Sequence, residues 1–399
     1  MTARPASALP RATLVLMTAG ATLGSAAIQC NQPLLPEMAA SFGVAGTRVA
    51  PVPSLTQWGY ALGLALIVPL FDVVARRRLV VVLQVAAAVA LLGIAAAPTI
   101  GALLVLAPVV GVVACASQVL TPYAGAESPP EERAHAVATV LGGVLAGVLL
   151  GRLLGGFLGA LVSWRAVYVV LAGVTLVSAT VLGRRLPPSR NADGESYRSV
   201  LRSIGRLVVT RPPLRRHAFL GMLVFGSFMA FWSTYAFVLF DEFAIGPAGA
   251  GLFALVGLAG ALAAPRAGLL VDRGGFVRSA VVGGVLAVCG WGVAAFGARS
   301  WAALAVGALI LDLGTGLAHG ANLSALQRRY PAIGGRVNAV YMVAYFIGGA
   351  TGSAIAPMLL HRWGWSAVAG FAAAVAMTGV AGTVIWRGSL TEANGEARV

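Results

Sequence analysis

Hydrophobic residues run along this chain in long unbroken stretches that are separated by short polar gaps. A helix needs about 20 apolar residues to cross the roughly 30 Å hydrocarbon core of a bilayer. Because the stretches are continuous rather than alternating, they indicate transmembrane helices and not the strands of a barrel. The pattern predicts twelve spans, numbered in chain order: 13–35, 52–71, 79–97, 101–123, 137–161, 166–183, 217–240, 249–270, 279–297, 301–325, 337–360 and 366–386.

The composition excludes a water-soluble surface. Only 10% of the 399 residues are charged, against about 25% in a soluble domain, and 59% are hydrophobic. A soluble enzyme, a nucleic-acid-binding protein and a secreted disulfide scaffold are therefore all excluded. The three cysteines, Cys30, Cys115 and Cys289, lie inside apolar stretches with no metal-ligand spacing, so neither a disulfide framework nor a metal site is expected.

The net charge of +15 comes from 28 arginines and no lysine, and nine of these arginines lie in the central polar segment 184–216. If the N-terminus is cytoplasmic, 22 arginines fall on cytoplasmic segments and four on external ones. This positive-inside bias predicts a multi-pass protein of the cytoplasmic (inner) membrane with both termini cytoplasmic. Rich use of alanine, glycine and arginine is typical of a GC-rich bacterial genome.

Markers recur along the chain at an offset of about 200 residues. Asp72 and Asp272 each follow an apolar span, and Trp164-Arg-Ala-Val matches Trp365-Ser-Ala-Val. The glycine stripe of span 5 also matches that of span 11, with the helix-packing residues Gly147, Gly151, Gly155, Gly348 and Gly352. The repeat indicates two six-helix halves in parallel orientation, which is the geometry of a rocking transporter.

We therefore expect an all-α polytopic membrane protein whose twelve transmembrane helices form two pseudo-symmetric six-helix bundles. The N-terminal bundle is placed at 1–183, the cytoplasmic linker at 184–216 and the C-terminal bundle at 217–399.

The loops after spans 2 and 8 resemble a motif of the major facilitator superfamily, and this resemblance covers essentially the whole chain. The motif has an aspartate followed by basic residues, and here Asp72, Arg76 and Arg77 match in the first copy, Asp272 and Arg273 in the second. The resemblance and the repeat together imply the major facilitator fold. They also imply a cytoplasmic gate at these charges, whereas the alternative is that the arginines only keep the loop inside.

Two further stretches resemble subgroups of that family. The glycine-rich span 5 is similar to the helix 5 motif of the antiporter branch, although Arg152 stands where that motif has proline. Asn31-Gln32-Pro33-Leu-Leu-Pro36 and the residues from Gly335 onwards resemble the arabinose-efflux-permease-like bacterial subgroup, which implies efflux. The glycine stripes are interpreted either as ordinary helix packing or as the interface along which the halves move.

Ionisable residues inside the spans are the strongest functional candidates. Burying an ionised aspartate such as Asp312 in span 10 costs at least about 2.5 kcal/mol even on lenient insertion scales. His319 lies seven residues further on, on nearly the same helical face. We expect Asp312 to take up the coupling proton, with His319 assisting and Arg152 as the counter-charge. The alternative is a permanent structural pair of Asp312 with Arg152 or Thr315.

In the resembled family, helices 1, 4, 7 and 10 line the central cavity. Amide and aromatic side chains on these spans and on span 11 fit a neutral or weakly cationic amphiphile, or a sugar, better than a polyanion. The candidate cavity residues are Gln29, Asn31, Gln32, Gln118, Trp232, Tyr235, Asn322, Asn338, Tyr341 and Tyr345.

The sequence thus predicts a secondary transporter that exports a small organic molecule by alternating access, driven by protons. Proton-linked uptake of a nutrient is the alternative on the same scaffold. No P-loop, no convergent catalytic set and no sizeable soluble domain is present in the sequence, which disfavours ATP drive, a membrane enzyme and a receptor. We expect no cofactor and no nucleic-acid partner, and a monomer that works with its substrate, protons and the lipid bilayer.

Overall fold

The computed structural model describes residues 9–187 and 196–391, and of these it describes 258–274 and 391 by their backbone alone. The described residues form helices and contain no strand. Within the described residues, eleven helical segments are long and apolar enough to cross a membrane, and Pro247–Gly257 is a shorter apolar helix. The eleven segments are Arg11–Phe42, Gly46–Asp72, Arg76–Ala95, Ile100–Ala126, Arg133–Leu161, Trp164–Arg185, Pro212–Phe243, Gly275–Ala294, Trp301–Arg329, Pro331–Trp363 and Trp365–Ile385.

Span 8 begins with Pro247–Gly257 and continues as the helix that starts at Leu258. Its boundary with span 9 is Gly275, where φ is 77° and ψ is 160°. A residue with a Cβ atom rarely adopts this conformation, so a glycine is what allows the turn between the two spans. The prediction of an all-α polytopic membrane protein is confirmed.

Spans 1 and 7 are both interrupted near their middle. Span 1 changes from the helix Arg11–Gln29 to a short 3-10 turn at Gln32–Leu34 and then to the helix Leu35–Phe42. Span 7 breaks between Pro212–Trp232 and Tyr235–Phe243. Non-helical backbone inside a membrane is tolerated only where protein or a water-filled cavity surrounds it, and transporters use such breaks to build binding sites.

The two interruptions have different local causes. In span 1, Pro33 and Pro36 have no backbone N–H, so they cannot continue the hydrogen-bond ladder of the first helix. In span 7, Thr234 donates its hydroxyl to the carbonyl of Ala230 at 2.6 Å, which competes with the helical bonds of that turn. Neither break was part of the sequence prediction, which treated both spans as continuous.

The chain divides into two compact units. Unit 1 contains Met1–Leu201 and Gly246–Leu252, and unit 2 contains Arg202–Ile245 and Phe253–Val399. The main boundary falls inside the predicted linker 184–216, within a helix, Tyr197–Thr210, that the sequence analysis did not anticipate. The first part of span 8 is grouped with unit 1 rather than with the rest of its span.

The two glycine stripes pack spans together inside each unit. A Cβ atom added at Gly147, Gly151 or Gly155 would meet the backbone of span 1, at Thr22, Ala26 and Cys30. A Cβ atom at Gly348 or Gly352 would meet the backbone of span 7, at Met222 and Gly226. Each of these glycines thus approaches a helix of its own unit, as expected for helix packing, and a role of the stripes in movement between the halves stays a prediction.

Candidate functional site

Unit 1 has a row of buried polar side chains at the break of span 1. Arg152 of span 5 donates from Nε to Oε1 of Gln32 at 2.7 Å, and Gln32 donates from Nε2 to Oε1 of Gln29 at the same distance. All three side chains are at most 3% exposed. The interruption of span 1 lets Gln29 and Gln32 reach each other across the turn, so the break and the buried guanidinium form one structural unit.

Spans 2 and 4 add neutral groups to the same unit. The Asn31 amide donates from Nδ2 to the Thr56 hydroxyl over 3.4 Å, and the Tyr60 and Ser117 hydroxyls are 3.0 Å apart. Gln118 also hydrogen-bonds with Tyr60. The candidates of spans 1 and 4 therefore belong to buried amide and hydroxyl networks.

In unit 2, Asp312 lies on the interior side of span 10 and is only 4% exposed. A methyl group built at Gly257 would be 3.7 Å from Asp312 Oδ2 and 3.3 Å from Trp232 Cζ2. The carboxylate and the indole ring therefore both lie close to Gly257 of span 8. Tyr345 of span 11 is within electrostatic range of Asp312.

His319 meets span 11 on the same side of unit 2. Its Nδ1 is 3.0 Å from the hydroxyl oxygen of Tyr341, and its ring centroid is 4.5 Å from that of Tyr345. Tyr345 in turn stacks on Phe225 at 4.0 Å. Tyr341 and Tyr345 of span 11 therefore both contact the ring of His319.

Trp232 and Tyr235, which flank the break of span 7, are fully buried in an aromatic cluster. Their ring centroids are 5.0 Å apart, and Phe253 lies 5.7 Å from Tyr235. Asn322 belongs to a different group, because its Oδ1 is 2.8 Å from Nδ1 of the buried His217. Asn338 is half-buried near the start of the helix of span 11.

The chain is similar to known transporters over nearly its full length. A family model described as Major Facilitator Superfamily matches residues 17–351 and, in a second match, residues 218–397. The chain belongs to the Major Facilitator Superfamily. The putative uncharacterized transporter YgaY of Escherichia coli is 33% identical over 386 residues, which cover 96% of this chain and 98% of that protein. The probable transporter SCO4007 of Streptomyces coelicolor is 35% identical over 387 residues, covering 96% and 89%.

Solved structures agree with this family in fold. A bacterial homologue of the human lysosomal transporter Spinster, in an inward-facing and unoccupied conformation, matches with a TM-score of 0.71 at 16% identity and covers 96% of both chains. The nucleoside transporter NupG matches with a TM-score of 0.72 at 11% identity, covering 95% of this chain and 98% of that chain. At these identities the likeness shows the major facilitator fold alone. Together with the family and the relatives named as transporters, it establishes a secondary transporter.

The two arginines of the predicted gate after span 2 make contacts with other spans of this major facilitator protein. Arg76 forms an ion pair with Glu127 at the end of span 4, with Nη1 and Oε1 3.5 Å apart, and its guanidinium lies 4.5 Å from the Phe71 ring centroid. Arg77 donates to the backbone carbonyl of Gly183 at the end of span 6. The described contacts therefore connect the two arginines to spans 4 and 6. Asp72 ends the 3-10 turn Val68–Asp72, and its role in a gate stays a prediction.

The second copy of the loop cannot be compared in the same way. Asp272 and Arg273 lie in 258–274, whose side chains are outside the described residues. The proposed pairing of Arg152 with Asp312 would join the two units, and it also stays a prediction.

The sequence analysis did not predict two side-chain pairings of this transporter. Glu127 is the first of three glutamates in the loop after span 4, and only a search for a partner to Arg76 on other spans would have singled it out. His217 was noted as a scattered histidine, although it pairs with Asn322, 105 residues away. Neither pairing has a local sequence signal, because each depends on helices that meet only in the folded bundle.

Proposed function

We propose that this protein exports a small organic molecule in exchange for protons, by alternating access and with the proton gradient as its energy source. The observation that carries the proposal is the buried carboxylate of Asp312 in the middle of span 10. A carboxyl group in hydrocarbon is costly to keep ionised, so its protonation changes the energy of its surroundings by a large amount. A ligand or proton that prefers one conformation shifts the population toward it.

The neighbours of Asp312 support an exchange mechanism. A cationic group of a substrate beside the carboxylate would neutralise it much as a proton does, and the nearby indole of Trp232 offers a cation–π attraction. Proton and substrate would then compete for one carboxylate, and binding of either would release the other. This competition is the chemical basis of antiport at a single site.

The aromatic wall of unit 2 supports an amphiphilic substrate. Phe225 stacks on Tyr345, and Phe228 lies 5.6 Å from Phe225 between its ring centroids. Flat apolar surfaces with one carboxylate favour a neutral or weakly cationic amphiphile, and a sugar is the second candidate because sugars also stack on aromatic rings. Arg152, held by Gln32, would supply the counter-charge for Asp312 in one state of the cycle.

The arginine distribution supports insertion in a bacterial cytoplasmic membrane with both termini inside, and we expect a functional monomer. Reporter fusions at the two termini test this orientation. An enzymatic reporter that is active only outside the membrane should stay inactive at both ends.

The function is tested with purified protein in liposomes that contain a pH-sensitive dye. A panel of cationic amphiphiles, neutral amphiphiles and sugars is added in turn, and compound-dependent proton movement is recorded. We expect at least one amphiphile to elicit proton flux, and Asp312→Asn to reduce that flux more than tenfold. Asp241→Asn, the same change at an exposed position at the end of span 7, serves as the matched control and should leave the flux unchanged. Undiminished flux in folded Asp312→Asn protein would exclude this aspartate as the proton carrier.

Direction is tested separately in everted membrane vesicles energised by respiration. Export predicts that the active compound accumulates inside these vesicles. Depletion of the compound would instead favour proton-linked uptake of a nutrient on the same scaffold.

A further inference from the structure

The linker helix, Tyr197–Thr210, has a polar cap at each end. At its start, the Ser196 hydroxyl accepts a hydrogen bond from the backbone N–H of Ser199 at 3.2 Å. At its end, Arg215 donates from Nη1 to the backbone carbonyl of Val208 at 3.0 Å. Such caps satisfy backbone groups that a helix leaves without partners, so this segment has local reasons to be helical.

The two faces of the linker helix differ in chemistry. One face is apolar and buried or half-buried, and it contains Tyr197, Val200, Leu201, Ile204 and Leu207. The opposite face carries three exposed arginines, each four residues after the last, and these form the arginine stripe: Arg198, Arg202 and Arg206.

The arginine stripe is unfavourable for the helix on its own. Consecutive guanidinium groups of the stripe follow one another about 6 Å apart along the helix axis, and like charges at this spacing destabilise a helix. The linker helix contains no acidic residue, and among the described residues none forms an ion pair with the stripe. An external group with negative charge would remove this repulsion.

Both ends of the linker helix are held close to the membrane surface. The Tyr197 hydroxyl donates at 2.6 Å to the carbonyl of Leu66, where the helix Pro51–Leu66 of span 2 ends. The side chain of Leu66 is exposed, as expected for an apolar residue that faces lipid. At the other end, only Arg211 separates the linker helix from Pro212, where the helix of span 7 begins.

An apolar residue extends the face of the arginine stripe. Val209 lies seven residues after Arg202 and three after Arg206, so the three side chains share one face of the helix. The Val209 side chain is 73% exposed. Guanidinium groups beside an exposed aliphatic side chain fit the boundary between lipid phosphates and acyl chains better than a purely ionic partner such as a nucleic acid.

We infer that the arginine stripe is a binding surface for anionic phospholipids in the leaflet next to the linker. Arginine binds a phosphate group through two parallel hydrogen bonds, which a lysine cannot do. Each basic residue close to an anionic leaflet raises the affinity by roughly fivefold. The binding needs no substrate, so it stands or falls independently of the proposed transport function.

The surface is localised by hydrogen–deuterium exchange of the full chain in nanodiscs of phosphatidylcholine, with and without phosphatidylglycerol. Bound phosphates offset the repulsion within the stripe, so the amides of 197–210 should exchange at least about fivefold more slowly in the anionic nanodiscs. In the stripe variant, which combines Arg198→Gln, Arg202→Gln and Arg206→Gln, this difference should disappear.

A matched control removes the same charge elsewhere. Arg48, Arg299 and Arg362 are also exposed, but they lie on separate segments of the chain rather than on one helix face. The control variant with glutamine at these three positions should keep the difference between the two nanodiscs. Thermal unfolding in detergent checks that both triple variants are folded.

The affinity is measured by titrating short-chain phosphatidylglycerol into protein in neutral detergent and counting bound lipid by native mass spectrometry. Arg202→Gln alone should weaken binding roughly fivefold, and the stripe variant should weaken it further. Inorganic phosphate and a short RNA are then added at physiological salt, and neither should displace the lipid.

Three results would overturn the inference. Equal exchange of 197–210 in the two nanodiscs would leave the stripe with a role in topology alone. The same loss of lipid in the stripe and control variants would show an effect of net charge instead of a surface on this helix. Displacement of the lipid by phosphate or by RNA would assign the stripe to a soluble anion.

Discussion

The interiors of the two units share a plan of packing and differ in chemistry. In both, the first span is interrupted near its middle, and a glycine-rich fifth span approaches it closely, at Gly147 in unit 1 and Gly348 in unit 2. Around the break of span 1 the side chains are amides and a guanidinium, whereas around that of span 7 they are aromatic rings and a carboxylate.

The comparison distinguishes two requirements that the sequence must meet, close helix packing and the chemistry of the site. Close helix approach requires the absence of a side chain at a few positions, and both halves meet it with glycine. Substrate and proton chemistry requires particular functional groups, and each half supplies a different set. In the proposed function, the first unit provides fixed polar contacts and the second provides the titratable and apolar surface.

The largest expected effect on stability comes from adding a methyl group at the glycines through which the helices approach each other. Gly147→Ala and Gly348→Ala place a methyl group against the carbonyl oxygens of Thr22 and Met222, which belong to helix backbone and cannot rotate away. We expect each to destabilise the protein by about 3 kcal/mol, at the upper end for overpacked interiors. Thermal unfolding in detergent measures the loss, which should be similar in the two units.

Matched controls lie on the same two helices. A Cβ atom at Gly142 or Gly335 meets no atom within 4 Å, so Gly142→Ala and Gly335→Ala should be neutral or stabilising by up to about 1 kcal/mol, from helix propensity. Equal effects at the packed and open positions would show that propensity, and not close approach, explains these glycines.

An intermediate effect is expected in the polar row of unit 1. Gln32→Leu removes the acceptor of the Arg152 Nε–H, a hydrogen bond to a buried charged group, and should cost about 2 kcal/mol. Gln29→Leu removes only the neutral bond between the two amides, for which about 1 kcal/mol is expected. Thermal unfolding of the two variants tests this order, because Gln32→Leu should have the lower unfolding temperature. A larger loss of stability for Gln29→Leu than for Gln32→Leu would show that Gln32 is not the main hydrogen-bond acceptor for Arg152.

Much of the fold could be predicted from the sequence because its cause is local. Span length follows from the thickness of the bilayer, and the arginine gaps and repeated markers identified the two halves. The break at 233–234 was missed, since Ser233 and Thr234 also occur in continuous helices and only their bonds to the preceding turn distinguish them. The break at 30–31 was missed although Pro33 and Pro36 stand beside it in the sequence.

The site was predictable in its residue types but not in its partners. Asp312 and Arg152 stood out because an ionisable group in hydrocarbon is unusual, and both are indeed buried. That Gln32 accepts from Arg152, or that Tyr341 and Tyr345 contact His319, depends on how spans far apart in the chain cross. Spacing along one helix does not contain that information.

The smallest effect concerns the charges that join spans 3 and 4 at the linker side of unit 1. Arg76 and Glu127 are 17% and 24% exposed, so their ion pair should contribute about 0.5–1 kcal/mol. A double-mutant cycle of Arg76→Ala and Glu127→Gln, measured by thermal unfolding, should give a coupling energy of that size. The parallel cycle of Arg76→Ala with Asp72→Asn tests the gate that the sequence predicts. Coupling to Asp72 of equal size would instead favour the gate predicted from the sequence, in which the aspartate and the arginines of one loop act together.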